Sequence, residues 1–212
     1  METAAETPLF RGFLHFAACI VALPAGWLLV SRTTSTMALV ACTLYVSSLL
    51  LSFGTSAGYH CLTKAGRARR VMRRLDHAMI YVLIGGTYVP LCLLALPLPW
   101  GIPLLATVGL GVVVGAVAKL VVFERGARLA HALYLLLGWA VVVAAPKLLQ
   151  HLDPAEIILL ALGGLAYTVG VPVLIRHRPD PWPKVFGYHE VWHGFTVVAA
   201  GLHFAAVVLL AR

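Results

Sequence analysis

The chain has 212 residues, of which 61% are hydrophobic and only 11% are charged. Soluble domains are closer to half apolar and a quarter charged, so this composition excludes a water-soluble protein and makes lipid the main solvent. The net charge of +8 does not indicate a nucleic-acid partner, because the basic residues lie in short loops between apolar segments. We therefore expect residues 1–212 to form a single all-α domain within a lipid bilayer.

Seven apolar segments of about 18–22 residues follow one another, and each is long enough to cross about 30 Å of hydrocarbon. No clear cleavage site ends the first segment, so we expect it to remain as a membrane helix. Polar and turn-forming residues separate the segments, including a basic loop at residues 64–74. The predicted spans are 13–31, 37–59, 77–97, 101–122, 129–147, 155–175 and 191–211.

The distribution of Lys and Arg predicts how these spans are oriented. Twelve of the basic residues fall on one side of the seven-span layout, three fall on the other side, and Lys119 lies within a span. Loops rich in Lys and Arg are retained in the cytoplasm. The prediction is therefore a cytoplasmic N-terminus and an external C-terminus, with the basic loop at residues 64–74 acting as a topology signal.

Four ionisable side chains lie at the ends of spans, where such groups are costly and usually functional. His60 ends the second span, Asp76 begins the third, and His189 and His193 begin the seventh. The predicted topology puts all four near the cytoplasmic face. His189 and His193 are spaced i, i+4 and share one helix face. With His60 they would form a three-histidine zinc site that keeps one position open for water, as catalytic zinc sites do.

Two further side chains are predicted to act beside the metal. Ser56 lies one turn before His60 and is placed to hydrogen-bond a metal-bound water or the substrate. Asp76 is placed to orient that water or to take its proton. The alternatives are a salt bridge from Asp76 to Arg73 or Arg74 and a purely packing role for the small Ser56.

The remaining histidines and the nearest cysteine have less specific interpretations. Cys61 follows His60, and adjacent helical residues point about 100° apart, so we interpret Cys61 as a packing residue and not as a metal ligand. The other histidines of the spans are interpreted as helix–helix hydrogen bonders, namely His15, His77, His131 and His203.

The segment from His189 to His193 also matches H-E-x-x-H, the pattern of zinc proteases in which the glutamate, here Glu190, is the general base. The pattern is short enough to arise by chance. Its metzincin extension is absent, because Thr196 stands at the glycine position and Ala199 at the position of the third histidine. An intramembrane metalloprotease is therefore an alternative function.

These residues belong to motifs that occur in order along nearly the whole chain. They are S-A-G-Y-H (56–60), R-L-D-H-A-M-I (74–80), G-G-T-Y-V-P (85–90), L-Y-L-L-L-G-W (133–139), R-P-D-P-W-P (178–183) and F-G-Y-H-E-V-W-H (186–193). The sequence resembles the hemolysin III family, bacterial relatives of the progestin and adiponectin (adipoQ) receptors. The resemblance implies seven helices in a bacterial cytoplasmic membrane, with the N-terminus inside and zinc near the cytoplasmic surface.

Carried over to this sequence, the resemblance makes His60, His189 and His193 the zinc ligands. It places Asp76 beside the metal-bound water and makes Ser56 the serine of the S-x-x-x-H motif. The receptors are similar to a wider superfamily of membrane hydrolases that includes alkaline ceramidases. The implied function is therefore hydrolysis of an amide or ester bond in a lipid-like substrate. The competing functions are a non-enzymatic lipid sensor or pore former with structural zinc, and the intramembrane protease.

Overall fold

The structure is a computed structural model and describes residues 8–122 and 127–212. Within these ranges it contains helices and no strand, and seven helical spans are long and apolar enough to cross a membrane. The predicted seven-span, all-α fold is therefore confirmed. The α-helices are α1 (Phe13–Ser31), α2 (Thr36–Ala57), α3 (Gly66–Pro90), α4 (Leu98–Val121), α5 (Ala127–Trp139), α6 (Ala145–His151), α7 (Pro154–Arg176) and α8 (Tyr188–Leu210).

Two predicted breaks between spans coincide with helix caps. The side chain of Ser35 accepts a hydrogen bond of 3.1 Å from the amide of Ala38 and starts α2. The amide of Asp153 donates to the carboxylate of Glu156 at 2.9 Å, immediately before α7 begins at Pro154. The predicted break at residues 124–126 lies outside the described residues, as do the side chains of Arg128 and His131 and all of Arg125.

The segment at residues 64–74, predicted as a loop, is mostly helical, which corrects the sequence interpretation. α3 begins at Gly66, eleven residues before the predicted start of the third span. Arg, Ala and Met are good helix formers, so these residues extend the membrane helix instead of interrupting it. The third span covers the 30 residues Gly66–Ala95, or about 45 Å at 1.5 Å per residue. It is longer than the hydrocarbon layer, so its basic first turns project beyond it.

The fifth span is not the single helix predicted for residues 129–147. A 3₁₀ segment, Ala140–Ala144, separates α5 from α6, and the span continues to His151. The hydroxyl of Tyr88, on α3, donates to the carbonyl of Leu137 at 2.7 Å and accepts from the amide of Val141 at 2.8 Å. Backbone groups released by such a break need a partner inside a membrane, and Tyr88 supplies it.

Helix α2 passes into a π turn, Gly58–Leu62, and α3 into a second π turn, Leu91–Ala95. A π turn widens the helix locally and re-aims the side chains within it, and such turns are frequent at functional sites. His60 lies inside the first π turn. The regular α-helical spacing between Ser56 and His60 that the sequence suggests is therefore interrupted at Gly58.

The helices form an antiparallel bundle in which α1 packs against α2 and α8, α3 against α2 and α4, and α7 against α8. Small residues permit close approach: a Cβ atom on Gly86 of α3 would collide with the side chain of Ser48 on α2. Because successive spans alternate in direction, the start of α1, the end of α2 and the first turns of α3 and α8 meet at one end of the bundle. The predicted site residues all lie at this end.

Candidate metal centre

The structure brings together the three histidines that the sequence singles out. His60 comes from the π turn after α2, and His189 and His193 from the first two turns of α8. One candidate ligand atom from each lies within 4.8 Å of the other two. The Nε2 atoms of His189 and His60 are 3.2 Å apart. The side chain of His60 is only 3% exposed, so the group is enclosed by protein.

These three histidines fit a tetrahedral metal ion. Two nitrogens bound to one zinc at about 2.0–2.1 Å lie roughly 3.3 Å apart, close to the separation of the His60 and His189 Nε2 atoms. The Nδ1 atom of His193 is buried and has no hydrogen-bond partner among the described residues, so it is free to bind the same ion. Neutral imidazoles with free nitrogens, converging from two helices, are ligands that borderline-soft metals such as zinc prefer. The group can therefore hold one metal ion.

Asp76 lies beside this group and not within it. Its Oδ2 atom is 4.0 Å from Nε2 of His60 and 3.7 Å from Nδ1 of His77, distances beyond direct hydrogen bonding. The hydroxyl of Ser56 lies next to this carboxylate. Its single proton is directed to Nδ1 of His15, because Thr196 donates to the carbonyl of His193 and Nε2 of His15 donates to Thr196. The side chain of Arg74, one of the two salt-bridge partners considered for Asp76, donates to the carbonyl of Leu120 at 2.9 Å. Ser56 therefore faces Asp76 as well as packing between helices.

His15 is a member of this site that sequence analysis placed only among the helix–helix hydrogen bonders. Its Nδ1 atom is 2.8 Å from the hydroxyl of Ser56, and its Nε2 atom is 2.8 Å from the hydroxyl of Thr196. Its ring stacks on that of His193, with centroids 3.7 Å apart and planes 14° apart. Both nitrogens are engaged, so His15 is unsuited to ligate the metal. It connects α1, α2 and α8 around the histidine group.

Glu190, the general base of the protease alternative, is committed to other contacts. Its Oε1 atom is 2.6 Å from Nε of Arg11, and both side chains are buried. Its Oε2 atom accepts the amide of Gly187 at 2.8 Å, which satisfies a free backbone group where α8 begins. These contacts hold the first turn of α8, and with it His189, against the start of α1.

Backbone pairing strengthens the same junction. The amides of Leu9 and Phe10 donate to the carbonyls of Lys184 and Val185 at 3.0 and 3.1 Å. The segment before α1 is thereby joined to the loop between α7 and α8. This junction could not be predicted from the sequence, because the two segments that it joins are about 175 residues apart.

The other candidate side chains lie outside the group. Cys61 lies outside the group of three histidines, and its thiol donates to the carbonyl of Arg11 at 3.7 Å. It is exposed, so it is not the packing residue that the sequence suggested. His203 contacts the carbonyl of Leu160 at 3.2 Å and joins α8 to α7, as predicted. His77 instead contacts the carbonyl of Arg73 in its own helix, at 2.8 Å.

The chain is similar to known proteins over most of its length. The sequence model of the family described as haemolysin-III related matches residues 3–204. The chain is 29% identical over 211 residues to Hemolysin-3 of Bacillus cereus, which covers 98% of this chain and 93% of that protein. It is 32% identical over 170 residues to a Hemolysin-3 homolog of Bacillus subtilis (strain 168), which covers 80% of this chain and 76% of that protein. A family match across nearly the whole chain, on a seven-span helical bundle, establishes that this chain belongs to the haemolysin-III-related family.

Proposed function

We propose that this chain is a zinc-dependent hydrolase of the bacterial cytoplasmic membrane that cleaves an amide or ester bond in a lipid-like substrate. The observation that carries the proposal is the convergence of His60, His189 and His193 within 4.8 Å, with the carboxylate of Asp76 beside them. A zinc ion held by these histidines would supply an acidified water and polarise the substrate carbonyl.

The residues of the chain take distinct parts in this proposal. Asp76 accepts a proton at its carboxylate from the attacking water and returns it to the leaving group. The hydroxyl of Ser56 packs beside that carboxylate and limits its movement. His15 fixes Ser56 in turn and supports the ring of His193 from behind. Burial of the group limits access of bulk water, which strengthens each of these electrostatic contacts.

The geometry does not favour the intramembrane protease. In H-E-x-x-H proteases the glutamate takes the proton of the attacking water. Here Glu190 is paired with Arg11 and hydrogen-bonded to the first turn of α8, so it has a structural role. We assign that proton transfer to the carboxylate of Asp76 instead.

The name Hemolysin-3 of the Bacillus cereus relative motivates a second candidate, a membrane-permeabilising protein. A pore would require a polar path across the bilayer, whereas the candidate metal centre lies at one end of the bundle. Dye release from liposomes containing the purified chain distinguishes the two candidates. Release that persists in a variant without the metal ligands would favour permeabilisation over hydrolysis.

The proposal predicts about one zinc ion per chain in the purified protein, measured by elemental analysis. Replacing His193 with Ala should release the ion, because two imidazoles and a water bind zinc far more weakly than three imidazoles and a water. His203→Ala is the matched control, since it removes a membrane histidine of the same helix that lies outside the group. Absence of transition metal in the original chain, both as purified and after zinc loading, contradicts the proposal.

Turnover is tested by comparing the lipids of membranes that contain the original chain, His193→Ala or His203→Ala. Accumulation of a free fatty acid with its amine or alcohol partner should require His193 and should not require His203. An unchanged lipid composition in all three membranes, with zinc present, would favour the lipid-sensor function instead.

A further inference from the structure

A stripe of three arginines lines a cavity on the part of α3 that projects from the membrane. Arg67, Arg70 and Arg74 are spaced i, i+3 and i+7, so they lie on one helix face. Together with Val71 they line an open cavity of about 320 Å³ on the surface of the helix. No residue of the candidate metal centre lines this cavity.

The guanidinium groups of this stripe are available to a ligand. Arg67 and Arg70 are exposed, and no carboxylate of residues 8–122 or 127–212 forms an ion pair with either. Arg74 is anchored by its hydrogen bond to the carbonyl of Leu120, near the end of α4. By contrast, Arg69 points elsewhere, since it donates to the carbonyl of Thr63 at 2.7 Å and lies over the ring of Tyr59. A topology signal depends only on how many basic residues a loop carries. Here three arginines also line one cavity, which such a signal does not require.

The depth of the stripe indicates its ligand. About twenty residues cross the hydrocarbon, and twenty residues back from Ala95, at the end of the third span, reach Asp76. The stripe lies just beyond this point, at the level of lipid headgroups. Arginine forks match the oxygens of a phosphate, and the exposed Val71 offers an apolar surface between them. From this geometry we propose that the stripe binds the phosphodiester headgroup of an anionic phospholipid.

The test titrates the purified full-length chain in detergent with phosphatidylglycerol or with phosphatidylcholine of the same acyl chains. Native mass spectrometry counts the bound lipid. We expect selective retention of phosphatidylglycerol. Arg67→Gln with Arg70→Gln should weaken it about thirtyfold, since each arginine near an anionic surface contributes roughly fivefold. Arg178→Gln with Lys184→Gln is the control, because it removes the same charge from exposed residues at the same end of the bundle.

The control pair should change the affinity less than about twofold, and Arg67→Lys with Arg70→Lys should restore only part of the loss, because lysine lacks the fork. If the double variant does not elute as a single species, the single Gln variants carry the same test at about fivefold each. Equal losses in the stripe and control pairs would mean a diffuse surface charge and overturn the proposal. Equal retention of the two lipids would do the same. Inorganic phosphate displacing the lipid at equal concentration would make this a free-anion site.

Discussion

Among single side chains, Asp76 is the one whose replacement separates catalysis from metal binding. Asp76→Asn is nearly isosteric and keeps the contact with Ser56, so zinc content and melting temperature should stay close to those of the original chain. Hydrolysis should fall about 10²–10⁴-fold, because an amide cannot accept the proton of the attacking water. Zinc content, melting temperature and lipid turnover are measured on one preparation.

Asp153→Asn is the control for this change, because asparagine caps a helix as well as aspartate does and this residue lies at the opposite end of the bundle. Full turnover with full zinc in Asp76→Asn would remove Asp76 from the proposed reaction. A loss of thermal stability equal to that of Arg73→Gln, with turnover reduced only in proportion, would support the salt-bridge alternative.

At the scale of single residues, the three histidines that converge could be predicted from sequence, but the contacts that support them could not. The i, i+4 spacing of His189 and His193 defines a shared face within one helix, so it needs no knowledge of the fold. The partners of His15 are 41 and 181 residues away, and no local spacing connects them. The one available signal was that His15 lies near the start of its span, at the end of the bundle where the other site residues were expected.

Among the helices, the close packing of α4 against the π turn that follows α3 can be tested by substitution. A Cβ atom on Gly101, at the start of α4, would collide with the backbone carbonyl of Cys92 in the π turn after α3. Backbone cannot move aside as a flexible side chain can, so Gly101→Ala should separate α4 from α3 and lower the melting temperature by several degrees.

Gly109→Ala is the matched control, since this glycine lies on the same helix and a Cβ atom there meets nothing within 4 Å. Alanine is the better helix former, so this variant should keep or raise the melting temperature. The contact between α4 and the π turn would have no energetic importance if the two variants melted at the same temperature.

The existence of each span was predictable because twenty consecutive apolar residues have few alternatives to a membrane helix. The irregular segments that interrupt these spans could not be predicted. The 3₁₀ segment Ala140–Ala144 is as apolar as its surroundings, and its backbone is satisfied by Tyr88, about fifty residues earlier. Likewise, the start of α3 was misplaced because hydropathy marks where a helix enters lipid and not where the helix begins.

The predicted orientation of the whole molecule rests on the distribution of its basic residues and can be measured directly. A reporter fused after Arg212 should lie outside the cell, and one inserted at Lys64, between α2 and α3, should lie in the cytoplasm. Lys64 suits the insertion because it lies outside the helices and is exposed. The opposite result would put the candidate metal centre at the outer face of the membrane.

At the scale of the whole molecule, sequence alone predicted the seven-span architecture and the family. The composition required a membrane, and six motifs in the same order along the chain indicated the hemolysin III family before any geometry was known. The closure of the bundle was not predictable, because the contacts of α1 with α8 depend on how seven spans circle around one another.

That closure has a consequence for how the protein is made. His60 and its partner His189 are separated by 129 residues, and Arg11 precedes Glu190 by an even longer stretch. A chain is synthesised from its N-terminus, so the early spans enter the membrane before Glu190 and two of the three converging histidines have been made. The last helix supplies the carboxylate of Glu190, which lies beside Arg11, and the two imidazoles that join His60. A nascent chain that stops before α8 therefore lacks both the counter-ion and the ligand set, and completion of the final helix is the step that assembles the centre.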